Sequence, residues 1–476
     1  YWGDGSSSVI TDYNDPDRVH TYAAPGQYTI SIEGLMQTFR LSMGINASNL
    51  LEVNDLGNTE WTSLSSAFAN APNLTTFRGG DTSHVTTMSN MFQSAPLVVP
   101  ETASWDVSRV TNMSSMFSGA TIANPDTEHW DVSHVTNMSY MFALTDQANP
   151  KTSHWDTSNI TTMAYMFRNA QSADPDTSQW DTGNVRTLRS MFEGASSANP
   201  NTQQWNVSRV TDLNSMFKQS TIANPDTSQW NTANVVNAGS MFEGASNANP
   251  DVSQWNTSSI LHIDSMFKDA TAADPNMRSW DTSSVINAGA VFQGATNADP
   301  DTSLWNTSNV NRMDYMFAGA SSANPDTSNW DVSNVITMAS MFEGATSAVP
   351  DVALWDVSSV RDFDSMFDGA LSARPEMYGW EPVSLQVTSG TVCASSLCLS
   401  INSSGASNML RGVDIGVRRY SDLLIQLAAH NNHSDVIFHG GDAQYSSRAA
   451  AARSTLIDTY NWTITDGGLA TDSDND

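Results

Sequence analysis

The chain has 476 residues, with 50 acidic side chains against 20 basic ones and a net charge of −30. Such a surplus repels phosphate, which argues against nucleic acid and disfavours docking on anionic lipid. No run of about 18 apolar residues occurs, so no segment is expected to span a membrane.

The chain opens with Tyr1-Trp2-Gly3-Asp4-Gly5, a tight turn in which Gly permits positive φ, and Pro25-Gly26 makes a second turn. Tyr28, Ile30 and Ile32 then alternate as a strand. Residues 1–42 resemble the second half of a PKD-like β-sandwich module. The strands that would precede Trp2 are not in the sequence, so either the chain was cut here or a partner supplies them. The start at Tyr1 rather than Met, without a signal peptide, suits a processed or excised segment. PKD-like modules serve secreted proteins as spacers or adhesive units.

Residues 43–80 read as an entry cap, with a degenerate unit at 61–68. From 81 to 380 the chain keeps a period of 25 residues. Trp recurs twelve times at that spacing, from Trp105 and Trp130 through to Trp355 and Trp380. A Met-Phe pair keeps the same beat from Met91-Phe92 to Met366-Phe367, broken once at Val291-Phe292. A fixed period of this size means a solenoid, whose coils bury their apolar face only by stacking. In residues 102–107, Trp105 and Val107 alternate with Ser104 and Asp106, which predicts a short strand. Val110, Met113, Met116, Phe117 and Ala120 follow at offsets of three and four, which predicts a short helix or 3₁₀ turn. Asn124-Pro125 ends the unit. Twelve coils at about 4.8 Å would make a rod or arc of roughly 58 Å. The Trp and Met columns are expected to be core rather than ligand cages.

The unit Trp-Asp-Val-Ser-x-Val-Thr-x-Met-x-x-Met-Phe-x-Gly-Ala is matched at every fixed position between Trp105 and Ala120. The unit beginning at Trp330 departs once, at Ile336. It resembles the repeats of BspA-like bacterial surface proteins, relatives of the leucine-rich repeat, across about residues 60–380. The expected fold is an α/β solenoid of leucine-rich-repeat-like coils, each a short parallel strand plus a short helix. A partial β-sandwich module precedes it and an α/β C-terminal cap follows.

After Trp380 the beat stops. Residues 385–399 read as strands around Cys393 and Cys398, which would close a small disulfide loop in an oxidising compartment; a metal site would need more ligands nearby. Helices are expected over 420–430 and 446–460, and strands over 436–438 and 461–465. Residues 381–468 thus resemble the cap that closes such surface repeats. The tail 469–476 carries Asp472, Asp474 and Asp476. It resembles the opening of a thrombospondin type 3 repeat, which makes calcium the one cofactor expected; a disordered acidic tail is the alternative.

Asp or Asn follows each repeat Trp from Trp105 to Trp355, and a second such column follows Pro. Both are expected to cap turns, with a calcium ladder as the other reading. Thr152, His154, Asp156, Asp181, Asp331 and Asp356 outline a candidate binding face beside the Trp column. His430, His433, His439 and Asp442 are a weaker candidate for a metal. No phosphate loop, nucleophile elbow or zinc-protease motif occurs, and no carboxylate pair stands apart from a repeated column, so no catalytic residue is expected. The composition and resemblances point to an extracellular protein, secreted or on a bacterial surface, that adheres through its solenoid. Its partner would be a protein or glycan on another cell or matrix. Self-association into a filament or layer, and a carbohydrate- or ice-binding face, are the alternatives.

Overall fold

In this computed structural model the described residues are 1–12, 14–41, 45–377, 380, 406, 408–413, 415–431 and 434–471. From Thr38 to Asp362, one residue per coil bridges in parallel to its counterpart in the next, as in Asn112↔Asn137, Asn137↔Thr162 and Thr337↔Asp362. The coils therefore stack in register as a solenoid. On the entry coils, strands β1 (Glu52–Val53), β2 (Thr76–Arg78) and β3 (Val99–Glu101) form a parallel sheet in that order.

The coils themselves correct the expected strand-plus-helix unit. Residues 102–107 turn at Ala103-Ser104 and form no strand, and residues 110–120 are a run of turns rather than a helix. The reason lies in the backbone: Ser115 has φ 54° and Gly119 φ 73°, and the same two places are left-handed in the following coils. A helix needs negative φ throughout. Instead, alternate amides point along the rod. Met113, Ser115, Phe117 and Gly119 donate to the carbonyls of Asn137, Ser139, Met141 and Ala143 at 2.8–3.0 Å. The amides between them close turns, Met116 to Met113, Ser118 to Ser115 and Ala120 to Phe117. Each buried backbone donor in this stretch thus finds an acceptor without a helix or a continuous strand.

The core is the expected spine. Trp130 is 1% exposed, and the Phe column from Phe92 to Phe242 is fully buried. Neighbouring Phe rings stack at 5.5 Å (Phe167 on Phe192) to 5.8 Å (Phe217 on Phe242), and Trp205 lies on Trp230 at 6.5 Å and 1°. Burying one such Phe is worth about 1.5–3 kcal/mol against exposure. The indole N–H of Trp230 donates back to the Thr202 carbonyl at 3.3 Å, and Trp180 and Trp255 do likewise to Thr152 and Thr227. A column of buried Thr adds a polar seam: Thr202 Oγ1 donates to the Asp226 carbonyl of the next coil at 2.7 Å.

The N-terminal module departs from the sandwich expectation. Residues 28–32 form no strand, and Ile30 and Ile32 are about half exposed. Trp2, His20, Tyr22 and Tyr28 pile face and edge instead, with Tyr22 on Tyr28 at 4.0 Å.

At the other end the Trp beat stops but the stacking does not. Phe367 and Gly369 donate to the Met409 and Arg411 carbonyls at 3.0 and 2.9 Å, so residues 408–412 take the place of the next coil. After the short entry helix α1 (Ile45–Asn49), helices return here as α2 (Val417–His430) and α3 (Ala450–Ser454), with strands β4 (Ile437–His439) and β5 (Thr463–Thr465) paired in parallel. α2 and the two strands overlap the expected positions of the cap, whereas the helix expected over 446–460 is α-helical only at Ala450–Ser454, between a 3₁₀ turn at Ser447–Ala449 and a π turn at Thr455–Thr459. A buried knot fastens it: Asp466 accepts from Tyr420 Oη at 2.8 Å and from Arg453 Nε at 2.9 Å. Burial and the Asp466 carboxylate push the Tyr420 hydroxyl pKa far up, so it remains a donor. Cys393 and Cys398 lie outside the described residues.

Candidate functional site

The repeated acidic columns are structural. Asp156, Asp181, Asp331 and Asp356 each accept the backbone amide two residues on, from Ser158, Gly183, Ser333 and Ser358, at 2.8–3.0 Å. The post-Pro column does the same, as in Asp226 with Ser228. These are Asx turns, in which a short carboxylate or amide replaces a missing backbone acceptor. At Asp131, Asp176, Asp251, Asp281, Asp301 and Asp356 the following Ser hydroxyl, then its amide, holds the carboxyl below the ordinary range. Asn serves equally well, as in Asn206 with Ser208 at 3.0 Å, so the column needs an oxygen rather than a charge.

The face expected from sequence is only partly a surface. Thr152 is buried, with its hydroxyl donating to the Asp176 carbonyl at 2.7 Å, because a Thr in this column fills the core like the Val252 that replaces it four coils later. His154 and the four aspartates are exposed. Asp156 and Asp181 sit on adjacent coils, remote in sequence from Asp331 and Asp356. His439 Nδ1 accepts the Gly441 amide, and His433 lies outside the described residues, as do Asp472, Asp474 and Asp476. Among the described residues no three His, Cys, Asp or Glu side chains converge on a metal position.

The informative place is where the repeat breaks its own rules. The first left-handed position in each coil is mostly Ser, as in Ser115, Ser190, Ser215 and Ser240, yet Tyr140 and Tyr165 hold it on adjacent coils at φ 59° and 61°, and Tyr315 holds it singly at φ 58°. The second is Gly in most coils, yet Leu144 holds it at φ 60° and is 52% exposed. A Cβ at the equivalent Gly119 would meet nothing nearer than 3.6 Å, so the objection to a side chain there is conformational, not spatial. Bulky residues at positive φ are strained by about 1–2 kcal/mol each. Two of them, Tyr140 and Leu144, line one groove, with Tyr165 stacked behind Tyr140.

That groove, open and about 300 Å³, is lined by Gln93, Ser115, Ser118, Tyr140, Ala143, Leu144 and Arg168. It is a step where two surface columns change size together. In one, Tyr165 stacks on Tyr140 at 4.3 Å and 8°, and the next residue along the rod is the small Ser115. In the other, charges alternate through Arg168, Glu193, Lys218 and Glu243, and the run stops against Ala143 and Ser118. Arg189 holds Tyr165 from behind: its Nε donates to Tyr165 Oη at 2.8 Å and its Nη1 to Asp212 at 3.4 Å. The Arg168 guanidinium lies 5.8 Å from the Tyr165 ring centre. Its Nε is 3.2 Å from Glu193 Oε2 but misaligned, and so makes no hydrogen bond there. Partial burial and the neighbouring Tyr165 push the Tyr140 hydroxyl pKa up, keeping it neutral. The arrangement offers an aromatic face, an apolar wall and several hydrogen-bonding groups, with no nucleophile–base pair among them.

Sequence reasoning missed this cluster because it followed the consensus. The signal was present as Tyr in a Ser column and Leu in a Gly column.

The model of the family described as "Mycoplasma protein of unknown function, DUF285" matches residues 62–180, 171–279 and 263–380. The chain belongs to the DUF285 family. The three matches together run from the Trp61 coil to Trp380, which is the region of stacked coils. No curated protein matches. Among solved structures, the mouse RP105/MD-1 complex aligns over 93% of this chain and 71% of that one, at 10% identity and a TM-score of 0.21. A likeness that slight carries no weight for fold or function. No helix among the described residues is long and apolar enough to cross a membrane.

Proposed function

We propose that this chain is a binding solenoid of an extracellular bacterial surface protein, and that the Tyr140 groove is its contact site. One observation carries the reading: the left-handed residues Tyr140 and Leu144 line one groove together, with Tyr165 stacked behind Tyr140. Large side chains held together at left-handed positions that carry mostly Ser or Gly along the chain are a mark of a working site. The likeness of the coil motif to BspA-like surface repeats supports an exposed, adhesive setting. The strong negative charge suits that setting too. Calcium held by Asp472, Asp474 and Asp476 belongs to the same proposal.

The test is adhesion. The chain, immobilised, is offered whole bacterial cells, host matrix proteins and a glycan panel, beside a Tyr140→Ser variant. Capture of one of these, reduced in the variant, is the expected result. If nothing is captured and light scattering shows chains associating, with or without calcium, the filament or layer reading replaces this one.

A further inference from the structure

The groove's chemistry narrows its ligand. This inference rests on the groove being a binding site, and goes on to say what it binds. We infer that it seats a neutral sugar ring, one unit of an oligosaccharide, stacked on the open face of Tyr140.

Four features lead there. First, Tyr140 is covered on one face by Tyr165 and faces Ser115 on the other, so a flat ring of roughly its own size can complete the stack. An aromatic face is electron-rich and attracts weakly polarised C–H groups, which a pyranose presents on its apolar face. Second, hydrogen-bonding groups ring that face. The side chains of Gln93, Ser115 and Ser118 make no hydrogen bond to the other described residues, and the Nη groups of Arg168 make none either. A sugar's equatorial hydroxyls both donate and accept, as this mixture of amide, hydroxyl and guanidinium requires. Third, the site is electrically balanced. Arg168 faces Glu193 and Arg189 faces Asp212, on a chain of net charge −30. A sulfated or sialylated sugar would find no unpaired cation and a repulsive field. Fourth, at about 300 Å³ the groove stands at the small end of ligand sites, which suits a ring rather than a helix or an extended peptide. Leu144 walls the apolar edge, giving its strained backbone a purpose.

The test uses the full chain and saturation-transfer NMR with isothermal titration. The probes are neutral hexasaccharides of glucose, mannose, galactose and N-acetylglucosamine, with sialyllactose and a heparin hexasaccharide as anionic comparators. A small ligand of this kind should bind with a dissociation constant of about 0.1–1 mM. At least one neutral sugar should bind. Tyr140→Ser should weaken it at least about tenfold, whereas Tyr140→Phe, which keeps the ring, should retain most of the affinity. Ser is the usual residue of this column, so Tyr140→Ser should fold, and an unchanged circular dichroism melt checks that. The inference is overturned if only the anionic sugars bind, if no sugar binds, or if Tyr140→Ser binds as well as the parent. Should no sugar bind while a protein or cell partner is still lost in Tyr140→Ser, the groove remains a binding site and only its sugar assignment fails.

Discussion

The ring of Tyr140 rests on that of Tyr165 with 4.3 Å between centroids, and both residues sit at positive φ. An aromatic pair of this geometry returns about 0.5–1.5 kcal/mol. Two left-handed non-glycine backbones cost about 1–2 kcal/mol each. The pair is therefore a net burden on the backbone compared with two glycines, and the same holds more plainly for Leu144, which has no ring to stack.

Replacing Leu144 by Gly should consequently stabilise the protein. The left-handed strain is relieved, and part of the gain is lost to the greater freedom of Gly in the unfolded chain, leaving about 0.5–1 kcal/mol. Urea denaturation followed by circular dichroism reads this as a higher midpoint at unchanged slope. A lower midpoint would mean that Leu144 is held by packing rather than tolerated for function. The same variant should bind its ligand less well.

Phe217→Ala should cost about 3–5 kcal/mol, since Phe217 is fully buried between Phe192 and Phe242. Because each coil touches mainly its neighbours, the damage should stay local. Hydrogen exchange should quicken for amides around 188–245 while those around 88–120 keep their protection. Uniform loss along the whole chain would contradict a nearest-neighbour solenoid.

Acid should destabilise the coils. Six Asx-turn carboxyls, Asp131, Asp176, Asp251, Asp281, Asp301 and Asp356, have folded pKa values lowered from 3.8 by hydrogen bonds that favour the charged form. A lowered folded pKa contributes stability that is present above the unfolded value and lost as pH falls through the folded one. Burial acts oppositely on Asp264 and Asp362, raising theirs. A carboxyl raised in the folded state favours folding when protonated, so its contribution falls as pH rises through the window above 3.8. Melting temperature should thus drop below about pH 4, and Asp362→Asn should raise it at pH 7 but not at pH 3.5. Equal effects of that substitution at both pH values would refute the burial argument.

Asp466→Ala should undo the C-terminal cap. It leaves Arg453 unpaired and the buried Tyr420 hydroxyl without its acceptor, a loss of about 3–5 kcal/mol. Limited proteolysis should then cut within 417–465 while the Trp-bearing coils stay intact.

The sequence carried the spine openly. Trp, Met and Phe at a 25-residue beat allow one arrangement, and Phe117 and Trp130 are where the period places them. The local backbone was misread because offsets of three and four, as in Val110, Met113, Met116, Phe117 and Ala120, arise equally from a helix and from a chain of turns. The column of Gly119, Gly194, Gly244 and Gly294 was the clue, since a left-handed residue at fixed places forbids the helix. Thr152 was placed outside because Thr is polar; its hydroxyl turns inward to a carbonyl that one coil alone cannot reveal. The groove was visible only as a departure, Tyr140, Leu144 and Tyr165, in columns whose ordinary residues are small.

Every coil hands its hydrogen bonds to an equivalent coil, and Met113 meets Asn137 as Met313 meets Thr337. A slip in gene copying that adds or deletes one whole unit would leave each remaining junction as it was. Such a protein can be lengthened or shortened like a ruler, so the span of its coils is the property that heredity can change with least harm.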